Sequence, residues 1–170
     1  MMNQFLKWFR WLRNFLFSFM NGIPNTFDSE ERILRVLYLP KHLSKDEKSI
    51  KPGAFRPPAG KDEVSVVRLE YSSADFCKEH GKKHADPPER IYFGFAIIKV
   101  NEIRSVIADI IFTPLPDNRA HSDITIGYIP EKGKQLPAEF QYKVDEMARI
   151  ARHYKDTNPS ANTWTCGNLE

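Results

Sequence analysis

A histidine oriented by a carboxylate is the base that nucleophilic catalysis requires, and the chain holds such a histidine. His121 has Asp117 just before it and Asp123 just after it, with Ser65 and Cys77 as nucleophiles if folding brings them near. No G-x-S-x-G turn or glycine-rich phosphate loop accompanies them, and only 8 glycines are present to build one. The competing reading is structural: Asn118 and His121 bond to backbone groups and hold a turn between strands. Cys77, His80 and His84 follow at i, i+3 and i+7, which puts a thiol and two imidazoles near one helix face. Together with His121 they have the composition of a tetrahedral zinc site. Gly81 interrupts the helix, however, and no C-x-x-C pair exists, so "HGKKHADPP" reads equally as a solvated turn and no metal or other cofactor is expected. Arg56 beside Phe55, in a proline-framed loop, offers an anion-binding guanidinium or an aromatic anchor, unless Phe55 plugs the core. Phe55, Arg56 and Asn118 are therefore the ligand-binding candidates.

The elements that must position these residues follow from periodicity. "ERILRVLYLP" (31–40) is a short apolar run ending at a proline, a buried strand or the last turns of a helix. Residues 41–63 form a long, charged loop with three prolines. "VSVVRLEY" (64–71) alternates as a half-buried strand does, and "SSADFCKEH" (72–80) has capping-box spacing from Ser72 to Asp75 and predicts a short helix stopped by Gly81. "IYFGFAIIKV", "VIADIIF" and "ITIGYI" are rich in β-branched and aromatic residues and predict three further strands, with a helical turn over 101–105 and a reverse turn at Pro116-Asp117-Asn118. Behind Pro137, the spacing of Phe140, Val144, Met147, Ala151 and Tyr154 predicts a long C-terminal helix. The expected class is α+β: a mostly antiparallel sheet of four or five strands packed by that helix.

The first 24 residues stand apart. They contain seven aromatics and three cations, and no acid occurs before Asp28. On a helical wheel, Lys7 and Arg10 fall on a narrow polar arc, while Phe5, Phe9, Leu12, Phe15, Leu16, Phe19 and Met20 fill the wide apolar side and Arg13 and Trp11 are misfits. A spanning helix needs about 20 predominantly apolar residues, and the charges here interrupt any such run. A secretory signal places its cations before the apolar run and ends at a small-residue cleavage site, and neither feature is present. The pattern fits a helix lying in the membrane interface, with Trp8 and Trp11 at headgroup level and Lys7, Arg10 and Arg13 facing anionic lipid, or one docked on a protein partner. Subtracting these three cations from 25 Lys and Arg leaves 22 basic against 22 acidic side chains in residues 25–170, which are formally neutral. A composition of that kind gives no sign of a nucleic-acid-binding body. Two cysteines are too few for a disulfide framework, which fits a reducing compartment.

Two stretches, "IKPGAFRPPAGKDEVSVVR" (50–68) and "FGFAIIKVNEIRSVIADIIFTPLPDNRAHSDI" (93–124), resemble a group of small, uncharacterised bacterial domains with an Ala-Phe-Arg loop before a Ser-Val strand and a closing Pro-x-x-Asn-x-Ala-His-x-x-Ile segment. Ala54, Phe55, Arg56, Ser65, Asn118, Ala120 and His121 are the matching positions. The resemblance implies an association with bacterial defence and conflict genes. The expected organisation is a docking helix (1–24), an α+β domain (25–158) and a loose tail (159–170). The expected protein is a binding or accessory protein of the cytoplasm, peripheral at the inner membrane face. The alternative is a small hydrolase or nuclease-like enzyme centred on His121.

Overall fold

The computed structural model describes residues 22–170 together with Leu12 and Leu16. The expected docking helix lies almost entirely outside the described residues; of its named positions only Leu12 and Leu16 are described, both helical. The body is α+β, built on a single antiparallel sheet of six strands rather than four or five. The strands are β1 (Arg32–Leu39), β2 (Glu63–Arg68), β3 (Ile91–Lys99), β4 (Asp109–Phe112), β5 (His121–Thr125) and β6 (Arg152–Lys155), in the order β4-β5-β2-β1-β3-β6. Among the described residues of the body three α-helices accompany them: α1 (Ala74–Lys83), α2 (Val100–Ser105) and α3 (Ala138–Ile150).

The ambiguous run at 31–40 is a strand because it is apolar on both sides. Successive strand residues point to opposite faces, so Ile33 and Leu37 join a core with Phe55, Val64, Val66, Val144 and Met147 under α3. Leu34, Val36 and Tyr38 join a second core with Val67, Phe95 and Cys77 under α1. Gly81, expected to stop α1, lies inside it: a Cβ there would stand 2.8 Å from Val36 Cγ1 and 3.1 Å from the Tyr92 ring, so the glycine permits close helix-to-sheet packing. The cap of α1 is Ser73 rather than Ser72, its hydroxyl accepting from the Phe76 amide at 3.1 Å.

The expected long C-terminal helix needs correction. It ends at Ile150, and Arg152–Lys155 turn back to pair with β3 as the sixth strand, so Tyr154 faces Phe95 across a ladder instead of continuing a helical stripe. Nor is the tail loose. The Lys78 ammonium, fully buried in an ion pair with Asp156 at 2.8 Å, also donates to the carbonyls of Asn158 and Thr163. Trp164 packs on Phe95 at 4.7 Å between ring centroids, and Leu169 is buried.

At the opposite end, Arg68 pins the segment that follows the expected docking helix. Its guanidinium is fully buried, pairs with Glu31 at 2.5 Å, donates to the carbonyls of Pro24 and Thr26, and lies 4.2 Å from the Phe27 ring centroid. Five donors in a rigid fork let one side chain hold this much backbone.

β3 carries a bulge at Phe93, where the register with β1 shifts between Leu37 and Tyr38. Bulges bend and twist the strand that carries them. Gly94 follows with φ of 149°, and a Cβ there would drive into the Tyr154 carbonyl oxygen and stand 2.9 Å from the Asp156 nitrogen. Gly94→Ala should therefore lower the unfolding free energy by about 3 kcal/mol through over-packing and backbone strain together. Urea denaturation of the variant checks this, and a change below about 1 kcal/mol would show that β6 yields without cost.

Candidate functional site: a cationic cleft

β1 and β2 are paired only at Ile33 with Arg68 and Leu34 with Val67. Beyond these positions β1 follows β3 for its whole length and β2 follows β5, so the sheet opens between its two central strands. Arg35 occupies the opening. Its Nη1 donates to the Ser65 carbonyl of β2 at 2.6 Å, where a continuous ladder would have run, and its Nε donates to the Ala54 carbonyl of the neighbouring loop at 3.0 Å. Above it lies a cleft of about 480 Å³, bounded by α1, the turn at 115–118, the start of β5 and the loop at 41–58.

The charges of this cleft are one-sided. Arg35, Lys41, Arg56 and Arg90 line it together with His42, His80, His84 and His121, whereas Asp117 is the one carboxylate in its lining. Among the described residues none of the four cations forms an ion pair, although pairs such as Arg32 with Glu70 and Lys99 with Glu30 are made elsewhere on the same sheet. Instead, Arg56 Nη2 donates to the Lys134 carbonyl at 2.6 Å, and Arg90 donates to the His84 carbonyl and lies 4.8 Å from the Tyr38 ring centroid. Burial of the Arg35 guanidinium pushes it down to about 10, so it remains cationic at neutral pH. Burial, assisted by Arg35 and Lys41, pushes His42 down to about 3, and burial also lowers His80.

His121 begins β5, opposite Val67. Its Nδ1 lies 2.8 Å from the Thr113 carbonyl, which can only accept, so Nδ1 donates to it, and that tautomer of the imidazole has its lone pair at Nε2. The Thr113 hydroxyl, 3.0 Å from the same nitrogen, donates to Asp123 Oδ2 at 2.6 Å. Asp123 therefore orients His121 through Thr113, its other oxygen being 3.9 Å from Nε2, and it lies behind the cleft rather than in its lining.

The structure thus gathers His121, Asp117, Asn118, Ser65, Arg56, His80 and His84 around one cavity. Ser65 pairs with Asp123 in the ladder, which makes it a diagonal neighbour of His121. Side chains so related start roughly 7 Å apart, too far for a nucleophile-to-base hydrogen bond. Phe55 does not reach the cleft: it is fully buried in the core beneath α3. Cys77 is separated from the imidazoles, buried against the sheet with its thiol 3.5 Å from the Ser72 hydroxyl and pushed up to about 11 by burial. His80 stacks on Phe76 and meets His84 at 4.4 Å between ring centroids. Among the described residues no three His, Cys, Asp or Glu side chains cluster closely enough to hold a metal ion.

Arg35, Lys41, His42 and Arg90 escaped the sequence reading. Arg35 was hidden in a strand whose partner was unknown. The signal present was a lone cation in the middle of an apolar strand, which is costly to bury without a purpose. No family model, no curated protein and no solved structure matches the chain, so function has to be read from the site.

His42 gives the site a pH signature. Its Nδ1 accepts from the Tyr38 amide at 3.2 Å, and the ring is buried in its neutral form. The unfolded chain takes up a proton below about 6.5 and the folded chain only near 3. Between these values the unfolded state binds more protons, so stability should fall as pH falls. His42→Leu should flatten the dependence of unfolding free energy on pH across this window, by up to about 1.4 kcal/mol per pH unit. Chemical denaturation at several pH values measures it; parallel profiles for wild type and variant would contradict the assignment.

Proposed function

We propose that the folded body is a binding module for a phosphate-type anion, attached by its leader to an anionic membrane surface or a protein partner at the cytoplasmic face. The observation that carries the first half is the set of four cations without ion pairs, three of them guanidiniums, around a cleft with one carboxylate in its lining. Arginine forks match phosphate oxygens two at a time, and partial burial strengthens that match by lowering the local dielectric. The attachment half rests on the spacing of aromatics and cations in residues 1–24. Among the described residues no helix is long and apolar enough to cross a membrane.

Inorganic pyrophosphate should bind the full-length protein with one-to-one stoichiometry by titration calorimetry. Arg56→Gln combined with Arg90→Gln should weaken that binding at least tenfold, which corresponds to about 1.4 kcal/mol. No heat at millimolar pyrophosphate and low salt would sink the reading. Removing residues 1–21, which leaves the Arg68-held segment in place, should abolish cosedimentation with anionic liposomes without changing the pyrophosphate titration. Retained cosedimentation would place the attachment elsewhere.

One observation favours a second reading, a hydrolase or nuclease-like enzyme centred on His121. The Nε2 lone pair of a histidine held through Thr113 by Asp123 is suited to take a proton from water attacking a bound phosphodiester. Release of p-nitrophenol from bis(p-nitrophenyl) phosphate by wild type, lost in His121→Asn, would favour this reading; equal background rates would exclude it for that substrate.

A further inference from the structure

Asn118 is 1% exposed and lines the cleft, yet neither its Oδ1 nor its Nδ2 has a hydrogen-bond partner. Buried side-chain amides are ordinarily satisfied, because leaving donor and acceptor both unpaired forfeits their hydration without replacement. Nor is this amide needed to build its turn. The backbone of Asn118 already exchanges hydrogen bonds with Leu115 at 3.0 and 3.1 Å, and its carbonyl accepts from the His121 amide at 3.1 Å. The side chain is fixed in place by its own backbone and left with a free donor and a free acceptor, side by side.

We infer that the ligand of the cleft is a nucleotide, its phosphate held by Arg35, Arg56 and Arg90 and its base read by the Asn118 amide. This rests on the anion-binding reading above and adds the second half of the molecule. An amide that offers one donor and one acceptor complements an edge that offers one acceptor and one donor, and nucleobases carry such edges; asparagine meets adenine at N6 and N7 in this way. The cleft, at about 480 Å³, falls within the range of small-molecule pockets, and its lining divides between cations and apolar groups such as Leu34, Val36 and Leu115 that a base can lie against. A bare phosphate would leave the amide unused. A phosphorylated sugar can meet the amide only through its freely rotating hydroxyls, whereas a base edge fixes donor and acceptor in one plane, so ribose 5-phosphate is the control that separates the two.

The test uses the full-length protein and three kinds of probe of increasing completeness: inorganic pyrophosphate, ribose 5-phosphate and the four ribonucleoside 5′-monophosphates. At least one monophosphate is expected to bind ten times or more tightly than ribose 5-phosphate. Asn118→Ala should bring that nucleotide down to the ribose 5-phosphate level while leaving pyrophosphate affinity unchanged. That variant removes an amide without hydrogen bonds, so its thermal unfolding should match wild type. Equal affinity of all four monophosphates and ribose 5-phosphate for wild type would overturn the inference, and this comparison decides the matter without any variant. A nucleotide preference that survives in Asn118→Ala would overturn the role of the amide, which would then be satisfied by water. Failure of every probe, pyrophosphate included, would overturn the anion-binding reading itself, an outcome distinct from loss of base selectivity alone.

Discussion

Everything about the candidate site depends on the early parting of β1 and β2. Adjacent antiparallel strands normally exchange hydrogen bonds along their shared length, because unpaired backbone groups are costly away from water. Here the two central strands share two ladder positions and then follow their outer partners. The β3 bulge at Phe93 is one source of the divergence, since the register between β1 and β3 breaks at Leu37 and Tyr38, the stretch of β1 that borders the opening. Arg35 takes over part of the missing ladder through the Ser65 carbonyl and ties the Ala54 carbonyl of the adjoining loop to it. A guanidinium can do this where an alkyl chain cannot, but it brings a positive charge into the centre of the sheet.

That charge sets the electrostatics of the region around it. Elsewhere the fully buried cations are neutralised: Arg68 by Glu31 and Lys78 by Asp156, each with backbone carbonyls completing its shell. These pairs do mechanical work, one holding the entry to β1 and the other holding the tail against α1. Arg35 has carbonyls and no carboxylate, and Lys41, Arg56 and Arg90 add to the imbalance. A half-buried charge without a counter-ion costs stability that an incoming anion returns. A body that is formally neutral as a whole thus concentrates positive charge in one cleft.

Much of the fold was legible because it rests on local patterns. The alternation from Val64 to Arg68 and the apolar runs at 91–99 and 109–112 correspond to β2, β3 and β4, whereas Leu69–Tyr71 form a 3-10 turn and the strand expected over 124–129 lies earlier, at His121–Thr125. The misreadings came from residues whose roles are set at long range. Gly81 looked like a helix stop and is a close contact with β1 and β3; the run from Ala151 to Tyr154 looked helical and is captured by the free edge of β3. Of the site, His121, Asn118, Ser65 and Arg56 were visible as residue types in turns and strand ends. Arg35 was not, because the meaning of a cation in an apolar strand depends on whether its neighbouring strand stays or leaves. The linkage of His121 to Asp123 through Thr113 was equally invisible, since Thr113 belongs to the segment after β4.

The most direct measurement of the central claim, that the opening between β1 and β2 holds an uncompensated positive charge awaiting an anion, is the thermal unfolding of full-length wild type and Arg35→Met across a series of pyrophosphate concentrations. Arg35→Met keeps an unbranched apolar stem and removes both the charge and its donors. The account predicts that pyrophosphate raises the midpoint of wild type in a saturable manner and raises that of Arg35→Met far less. Identical rises in the two proteins, or no rise in wild type at any concentration, would contradict it.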